Sequence, residues 1–271
     1  MTVVVKLYER YLFKMQKEEN KFIASTFFEG MTSIRAILNG GYSDNNDRKI
    51  IEILYDEGKL HKISKEIGYL KAISKEKNFT VRAVSEENLN DICLGTSHGG
   101  IVALCTERNI PLLTKDCIKK DGFYVMIQGI EDPYNFGYSL RSLYACGADG
   151  IILPERNWMS AAGVVARSSA GASELFPLYK SSPEEAADIL KAYGYEIVCA
   201  DERTENILGK CELKLPILLI VGGEKRGISR NLLEKADKLI KIEYGREFRA
   251  SLSAASATTM FAYEIMRQNA K

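Results

Sequence analysis

Apolar residues along this chain fall in short runs separated by amphipathic stretches, and the alternation runs through the chain twice. In the first half, Phe22–Phe28, Ile50–Tyr55, Phe79–Val84 and Gly99–Cys105 read as strands. Between them, Gly30–Leu38 carries Met31, Ile34, Ile37 and Leu38, and Lys62–Lys77 carries Ile63, Ile67, Leu70 and Ile73, each at helical spacing. Ser85-Glu86-Glu87 opens a further helix with a capping serine, and residues 40–47 are a glycine- and asparagine-rich loop. Strands alternating with helices predict a layered α/β domain.

The second round begins at Phe123. Val125–Gln128 suits a buried parallel strand, Phe136–Cys146 a helix, and Gly150–Leu153 the next strand. Asp132-Pro133 forces a turn, Asn135 is a candidate cap, Leu140, Leu143 and Tyr144 form the apolar face, and Gly147 stops the helix. Residues 161–172, rich in Ala, Ser and Gly, suit a helix or a close-packed turn. Then follow a strand over Leu175–Tyr179, a helix over Pro183–Ala192, and strands over Tyr195–Ala200 and Pro216–Val221. A short helix capped by Ser229, a strand over Leu239–Ile242 and a helix over Ser251–Gln268 complete the chain.

The 271 residues divide on this pattern into a leader (1–20), a smaller α/β domain (21–108), a connection (109–121) and a larger α/β domain (122–271). The leader's charged run reads as a solvated face. A hydrophobic content of 46% is enough for two cores, and no apolar run is long enough to span a membrane. The net charge of +1 announces no global basic field. Residues 1–120 hold 19 Lys/Arg against 16 Asp/Glu, which favours the first half as the side facing a polyanion. The six cysteines form no CxxC pair, which argues against zinc and a redox dithiol and fits a reducing, cytoplasmic compartment.

Candidate chemistry lies mostly in the second half. Arg141 follows Gly137 by one helical turn, and a glycine in a first turn suggests close approach to the backbone. A helix start beside a guanidinium suits a phosphate or another anion. Residues 221–229, VGGEKRGIS, follow a buried strand and precede a helix, but Ile228 stands where a phosphate loop needs lysine. This excludes an ATPase or GTPase and leaves a glycine loop, carrying Glu224, at a strand's carboxyl end. Of the two histidines, His61 reads as a loop residue and His98 as a turn residue with some chance of touching RNA; with no GxSxG elbow, hydrolase chemistry is disfavoured. Small residues dominate the start of the last helix and permit close approach of backbone or ligand.

Three stretches together resemble the SpoU (TrmH-like) class of the SPOUT superfamily, the knotted RNA 2′-O-ribose methyltransferases. DPYNFGYSLRSLYACGADGIIL resembles its Asn-x-Gly-x-x-x-Arg motif through Asn135, Gly137 and Arg141. LLIVGGEKRGIS resembles Gly-x-Glu-x-x-Gly through Gly222, Glu224 and Gly227, and IEYGREFRASLSAASATTMFAYEI the closing Ser-Leu-Asn through Ser251 and Leu252. Residues 22–105 more faintly resemble the ribosomal-protein-like RNA-binding domain that precedes such catalytic domains. Ser253 departs from the motif's asparagine, and residues 244–250 run about one residue longer than usual. The resemblance implies an α/β fold with a deep trefoil knot, a mostly parallel sheet and helices on both faces. It implies S-adenosylmethionine held by Gly222, Ile242 and Leu252, with Gly227 and Ser253 beside them, and no metal. It further implies Arg141, Asn135 and Glu224 as catalytic residues, RNA (ribosomal in the first instance) as substrate, and a homodimer through the second domain. The rivals are methylation of a base or of transfer RNA, and an RNA-binding or ribosome-assembly protein with a decayed site.

Overall fold

The computed structural model describes residues 25–40, 45–93, 98–130, 132–155, 157–223, 225 and 227–270. The predicted leader and Glu224 lie outside them. In the second half, β5 (Phe123–Gln128), β6 (Gly150–Leu153), β7 (Leu178–Lys180), β8 (Glu196–Ala200), β9 (Ile217–Gly222) and β10 (Lys238–Ile240) form one sheet in the order β10-β8-β9-β5-β6-β7, and every pairing is parallel. A parallel sheet must be covered on both faces, and the two-residue period sorts its side chains accordingly. Phe123, Val125, Ile127, Ile217, Leu219 and Val221 enter one core; Tyr124, Met126, Leu218 and Ile220 enter the other. The first face is covered by α4 (Pro133–Ala145), α5 (Ala162–Ser168) and α9 (Ala254–Asn269), the second by α7 (Pro183–Ala192) and α8 (Arg230–Lys235). The predicted parallel α/β architecture with helices on both faces is therefore present.

The first half builds a smaller sheet from β1 (Phe27–Glu29), β2 (Ile50–Asp56), β3 (Thr80–Val84) and β4 (Ile101–Cys105), in the order β1-β4-β2-β3, with β2 and β3 parallel and the other pairings antiparallel. Helices α1 (Gly30–Gly40) and α2 (Leu60–Lys77) pack on one face and α3 (Glu86–Ile92) on the other. His98 is 1% exposed, accepts the Gly100 N–H on Nδ1 at 3.1 Å and lies 3.1 Å from Asn90 Oδ1 through Nε2. It locks a turn and does not face a partner; burial lowers its pKa below the usual value.

The two sheets share packing. Ala162 and Ala166 of α5 are fully buried in the first half's core. A Cβ on Gly171 would sit 2.5 Å from the Ala36 Cβ, and one on Gly40 2.7 Å from the Glu174 carbonyl oxygen, so α1 lies close against α6 (Ala172–Leu175). The Arg48 guanidinium reaches Glu174 at 2.9 Å with both side chains buried, and also donates to the Thr106 carbonyl at 2.8 Å. Arg108 donates to the Ser173, Phe176 and Asn45 oxygens, and burial pushes it down to about 10, still charged at neutral pH. The connecting segment is tied down too: Leu113 N–H donates to the Lys180 carbonyl, and Lys180 N–H to that of Pro111.

Several predicted boundaries move. Asp132, not Asn135, caps α4: its Oδ1 accepts from the N–H groups of Tyr134 and Asn135 at 2.8 Å, and Pro133 opens the helix. Tyr144 is 46% exposed, resting edge-on against Phe176, so Leu140 and Leu143 carry the apolar face. Residues 161–172 contain α5 and a left-handed Gly171. The strand expected at Leu175–Tyr179 starts at Leu178, after α6. The strand expected at Leu239–Ile242 ends at Ile240, and the last helix starts at Ala254, because Ser253 Oγ caps it by accepting the Ser256 N–H at 3.1 Å. Ser229 stands at the start of α8 but makes no capping bond; its hydroxyl faces Glu184 at 3.4 Å.

Candidate active site

Strand order locates the site before any side chain does. From β5 the chain builds outward through β6 and β7, then crosses to β8 and returns with β9 between β8 and β5. The sheet's direction of growth therefore reverses between β5 and β9, and ligands in open α/β sheets bind at the carboxyl ends flanking such a reversal. Gln128 at the end of β5 pairs in register with Gly222 at the end of β9. Gly223 N–H donates to the Gln128 carbonyl, and Ser229 N–H to the Gln128 side chain at 3.2 Å. A Cβ on Gly223 would lie 2.0 Å from the Gly129 carbonyl oxygen, so only glycine lets the two loops meet. The loop after β9 is closed on itself, with Gly227 N–H donating to the Gly223 carbonyl at 3.0 Å. A Cβ on Gly222 would meet the Gly227 carbonyl carbon at 2.6 Å, and Gly227 is left-handed at φ +58°.

Helix α4 leaves this edge carrying Asn135, Gly137 and Arg141. The close approach inferred at Gly137 comes from a neighbouring helix: a Cβ there would lie 1.9 Å from Ser168 Oγ and 3.0 Å from the Val165 carbonyl oxygen of α5. Arg141 is exposed one turn further on, and Asn135 is half-buried near the helix start. Among the described residues neither side chain has a hydrogen-bond partner, and no bond joins the two. Helix α9 packs beside α4, where Thr259 donates to Ser142 Oγ at 2.7 Å, next to Arg141.

Ile242 and Leu252 are half-buried, and Leu252 N–H donates to the Tyr244 hydroxyl at 3.2 Å. From Ile242 to Ser251 no backbone group has a hydrogen-bond partner among the described residues. Open backbone donors and acceptors flanked by two apolar side chains suit a nucleoside, whose base edge needs hydrogen bonds and whose faces need apolar walls. Ser253 uses its hydroxyl as a helix cap, a role asparagine fills equally well, so the departure from the motif leaves the local structure intact. Gln128, Tyr244 and Asp132 were given no site role from the sequence, where Gln128 was read as a strand end and Asp132 as a turn former. Only Asp132 had a signal there, the aspartate preceding a proline at a helix start.

With this geometry in place, the comparisons become specific. Residues 122–263 match the model of the SpoU rRNA methylase family, and residues 29–111 match that of the RNA 2′-O ribose methyltransferase substrate-binding domain. The chain belongs to the SpoU rRNA methylase family. A Bacillus subtilis protein assigned to the TrmH family of tRNA/rRNA methyltransferases, YacO, is 26% identical over 231 residues, covering 81% of this SpoU chain and 92% of its own. A solved RNA 2′-O ribose methyltransferase superposes with a TM-score of 0.73 at 23% identity, covering 89% of this chain and 88% of its own. The SpoU methyltransferase AviRb from Streptomyces viridochromogenes, solved with S-adenosylmethionine, superposes at 0.75 with 21% identity over 99% of this chain and 98% of its own. No helix among the described residues of this SpoU protein is long and apolar enough to cross a membrane, and no cluster of His, Cys, Asp and Glu among them is arranged to hold a metal.

Proposed function

We propose that this S-adenosylmethionine-dependent RNA methyltransferase of the SpoU family methylates a ribose 2′-hydroxyl, in ribosomal RNA. The observation that carries it is Arg141, without a partner among the described residues, on a helix that starts at the sheet's reversal point, in a domain whose 242–251 loop has a backbone open to a nucleoside. The cofactor supplies a methyl group already activated on a sulfonium, so the protein's task is positioning and charge. Arg141 holds the RNA phosphate next to the target sugar and stabilises the developing 2′-oxyanion. A guanidinium does not deprotonate at neutral pH, so it acts electrostatically and not as a base. Asn135 orients the ribose. Glu224, outside the described residues, orients a neighbouring donor. Backbone groups of Gly222, Ile242 and Leu252, with Gly227 and Ser253 shaping the loops, hold the cofactor.

The assignment to ribosomal RNA rests on the family's name and on the substrate-binding match in the first half. The six free cysteines suit a cytoplasmic site of action. We further propose that the segment from β9 to α9 is threaded as a trefoil knot, in keeping with a strand order that inserts β9 between two strands already laid down. The chain is proposed to act as a homodimer through α4 and α9, whose outer faces leave Tyr134, Tyr138, Met260 and Tyr263 between 43% and 56% exposed. The test is transfer of labelled methyl from S-adenosylmethionine to ribosomal RNA, followed by alkaline hydrolysis. A 2′-O-methyl protects one linkage from cleavage. Label on an alkali-labile nucleotide assigns the chemistry to a base, and no transfer by protein that binds the cofactor assigns a decayed site.

A further inference from the structure

Many basic side chains among the described residues are paired with carboxylates, whereas α2 gathers four lysines that are not. Lys62, Lys65, Lys71 and Lys75 all lie on its exposed side, and none has an ion-pair partner among the described residues. By contrast, Lys119, Lys191, Lys210, Lys214, Lys235 and Lys241 each have one. Residues 60–77 hold five lysines and two glutamates; Glu76 contacts Lys77 at 3.6 Å, and Glu66 is half-buried. Ile67 and Leu70 turn inward; Lys65 and Lys75 stand on the opposite side, with Lys62 and Lys71 on its two flanks and the Lys71 ammonium 5.6 Å over the Tyr55 ring, along about 20 Å of helix. Tyr69, on the same side, is 46% exposed. Gly68 sits mid-helix facing solvent, where a Cβ would meet nothing within 4 Å. A mid-helix glycine disfavours the helix relative to alanine, and here no packing explains it.

We propose that this face of α2 is a docking surface for the phosphate backbone of the RNA substrate. Four positive charges with no carboxylate partner among the described residues, spread over the exposed half of this helix, attract a polyanion through counterion release, and an exposed tyrosine among them can stack on an unpaired base. Gly68 leaves the crown of the helix smooth enough for a sugar-phosphate chain to lie across it. The surface rests on the methyltransferase function proposed above and names how its substrate is gripped, away from Arg141.

The test uses the full chain with Lys65, Lys71 and Lys75 changed together to glutamate, and a ribosomal RNA transcript as probe. Expected are a loss of RNA affinity of at least about 30-fold near 0.1 M salt and a shallower dependence of log K on log salt, by about 0.7–0.9 for each phosphate contact removed. The variant's KM for RNA rises while kcat at saturating RNA and S-adenosylmethionine affinity stay at wild-type values. Lys115→Glu/Lys120→Glu serves as a charge control and shifts affinity less than threefold. If the triple variant does not fold, single Lys65→Ala and Lys75→Ala, each expected to lose threefold to tenfold, carry the decision. RNA affinity within twofold of wild type in folded variants overturns the proposal and assigns the face to another acidic partner. Absence of methyl transfer by the wild-type protein in the same experiment would instead sink the proposed ribose chemistry, so the two failures are distinguishable.

Discussion

Replacing Gly137 by alanine separates two explanations of a motif glycine. If the residue served only as a tolerated break in α4, alanine would stabilise the helix by about 1 kcal/mol. The packing predicts the opposite sign. The new methyl group would overlap Ser168 Oγ at 1.9 Å and press Ser168 Cβ at 2.8 Å and the Val165 carbonyl oxygen at 3.0 Å. Ser168 cannot swing aside cheaply, because its hydroxyl donates to the Val164 carbonyl at 2.9 Å in a buried site. Relief therefore requires α4 and α5 to part by on the order of 1 Å. Overpacking of this kind costs about 1–3 kcal/mol, which cancels the helix gain and leaves a net destabilisation of up to about 2 kcal/mol. Arg141 lies one turn beyond, and a shift of about 1 Å in a positioning group costs roughly 100-fold in rate. Urea unfolding at unchanged m-value measures the first effect, and single-turnover methyl transfer the second. Adding Ser168→Gly removes both side-chain overlaps and restores most of the rate. A Gly137→Ala protein that is more stable than wild type and fully active would refute the packing argument.

Other consequences follow from the same contacts. Arg48→Met leaves the buried Glu174 carboxylate with the Asn46 amide at 3.3 Å as its one side-chain donor among the described residues and Arg108 as a nearby charge, and is expected to cost about 3 kcal/mol, whereas Arg48→Met/Glu174→Leu costs far less than the two single changes together; a double-mutant cycle in urea checks it. His98 is held neutral, with its folded pKa below the unfolded value of about 6.5. Its contribution to stability is therefore complete above that pH and declines as pH falls, because the unfolded chain takes up the proton first. His98→Ala should flatten this slope below pH 6.5 in a series of melting curves. Ser253→Ala removes the cap of α9 and should cost about 1 kcal/mol, while Ser253→Asn should stay near wild type in the same unfolding assay.

What could be read from the sequence followed from local rules. The helix over Pro183–Ala192 was legible to the residue because Ser182 caps it and proline opens it. The buried strands β5 and β9 were legible as unbroken apolar runs, since both faces of a parallel sheet are covered. Capping was harder where two competent residues stood close together: Asp132 and Asn135 both suit the role, and Pro133 settles it for Asp132. Contacts between distant residues left no local trace. Gly137 meets a serine 31 positions away, Arg48 meets a glutamate 126 positions away, and the register of Gln128 with Gly222 exists only once β9 has been inserted beside β5. The motif residues were visible as a spaced set, but the reason each is where it is depends on these long-range meetings.

The most direct measurement pairs single-turnover methyl transfer to ribosomal RNA with calorimetric titration of S-adenosylmethionine, both on Arg141→Ala. Arg141 is exposed on α4 and has no partner in the chain among the described residues, so its removal should leave the fold and the cofactor site alone. The account predicts transfer slower by about 100- to 1,000-fold or more, with cofactor affinity within twofold of wild type. Undiminished transfer, or equal loss of transfer and of cofactor binding, would contradict it.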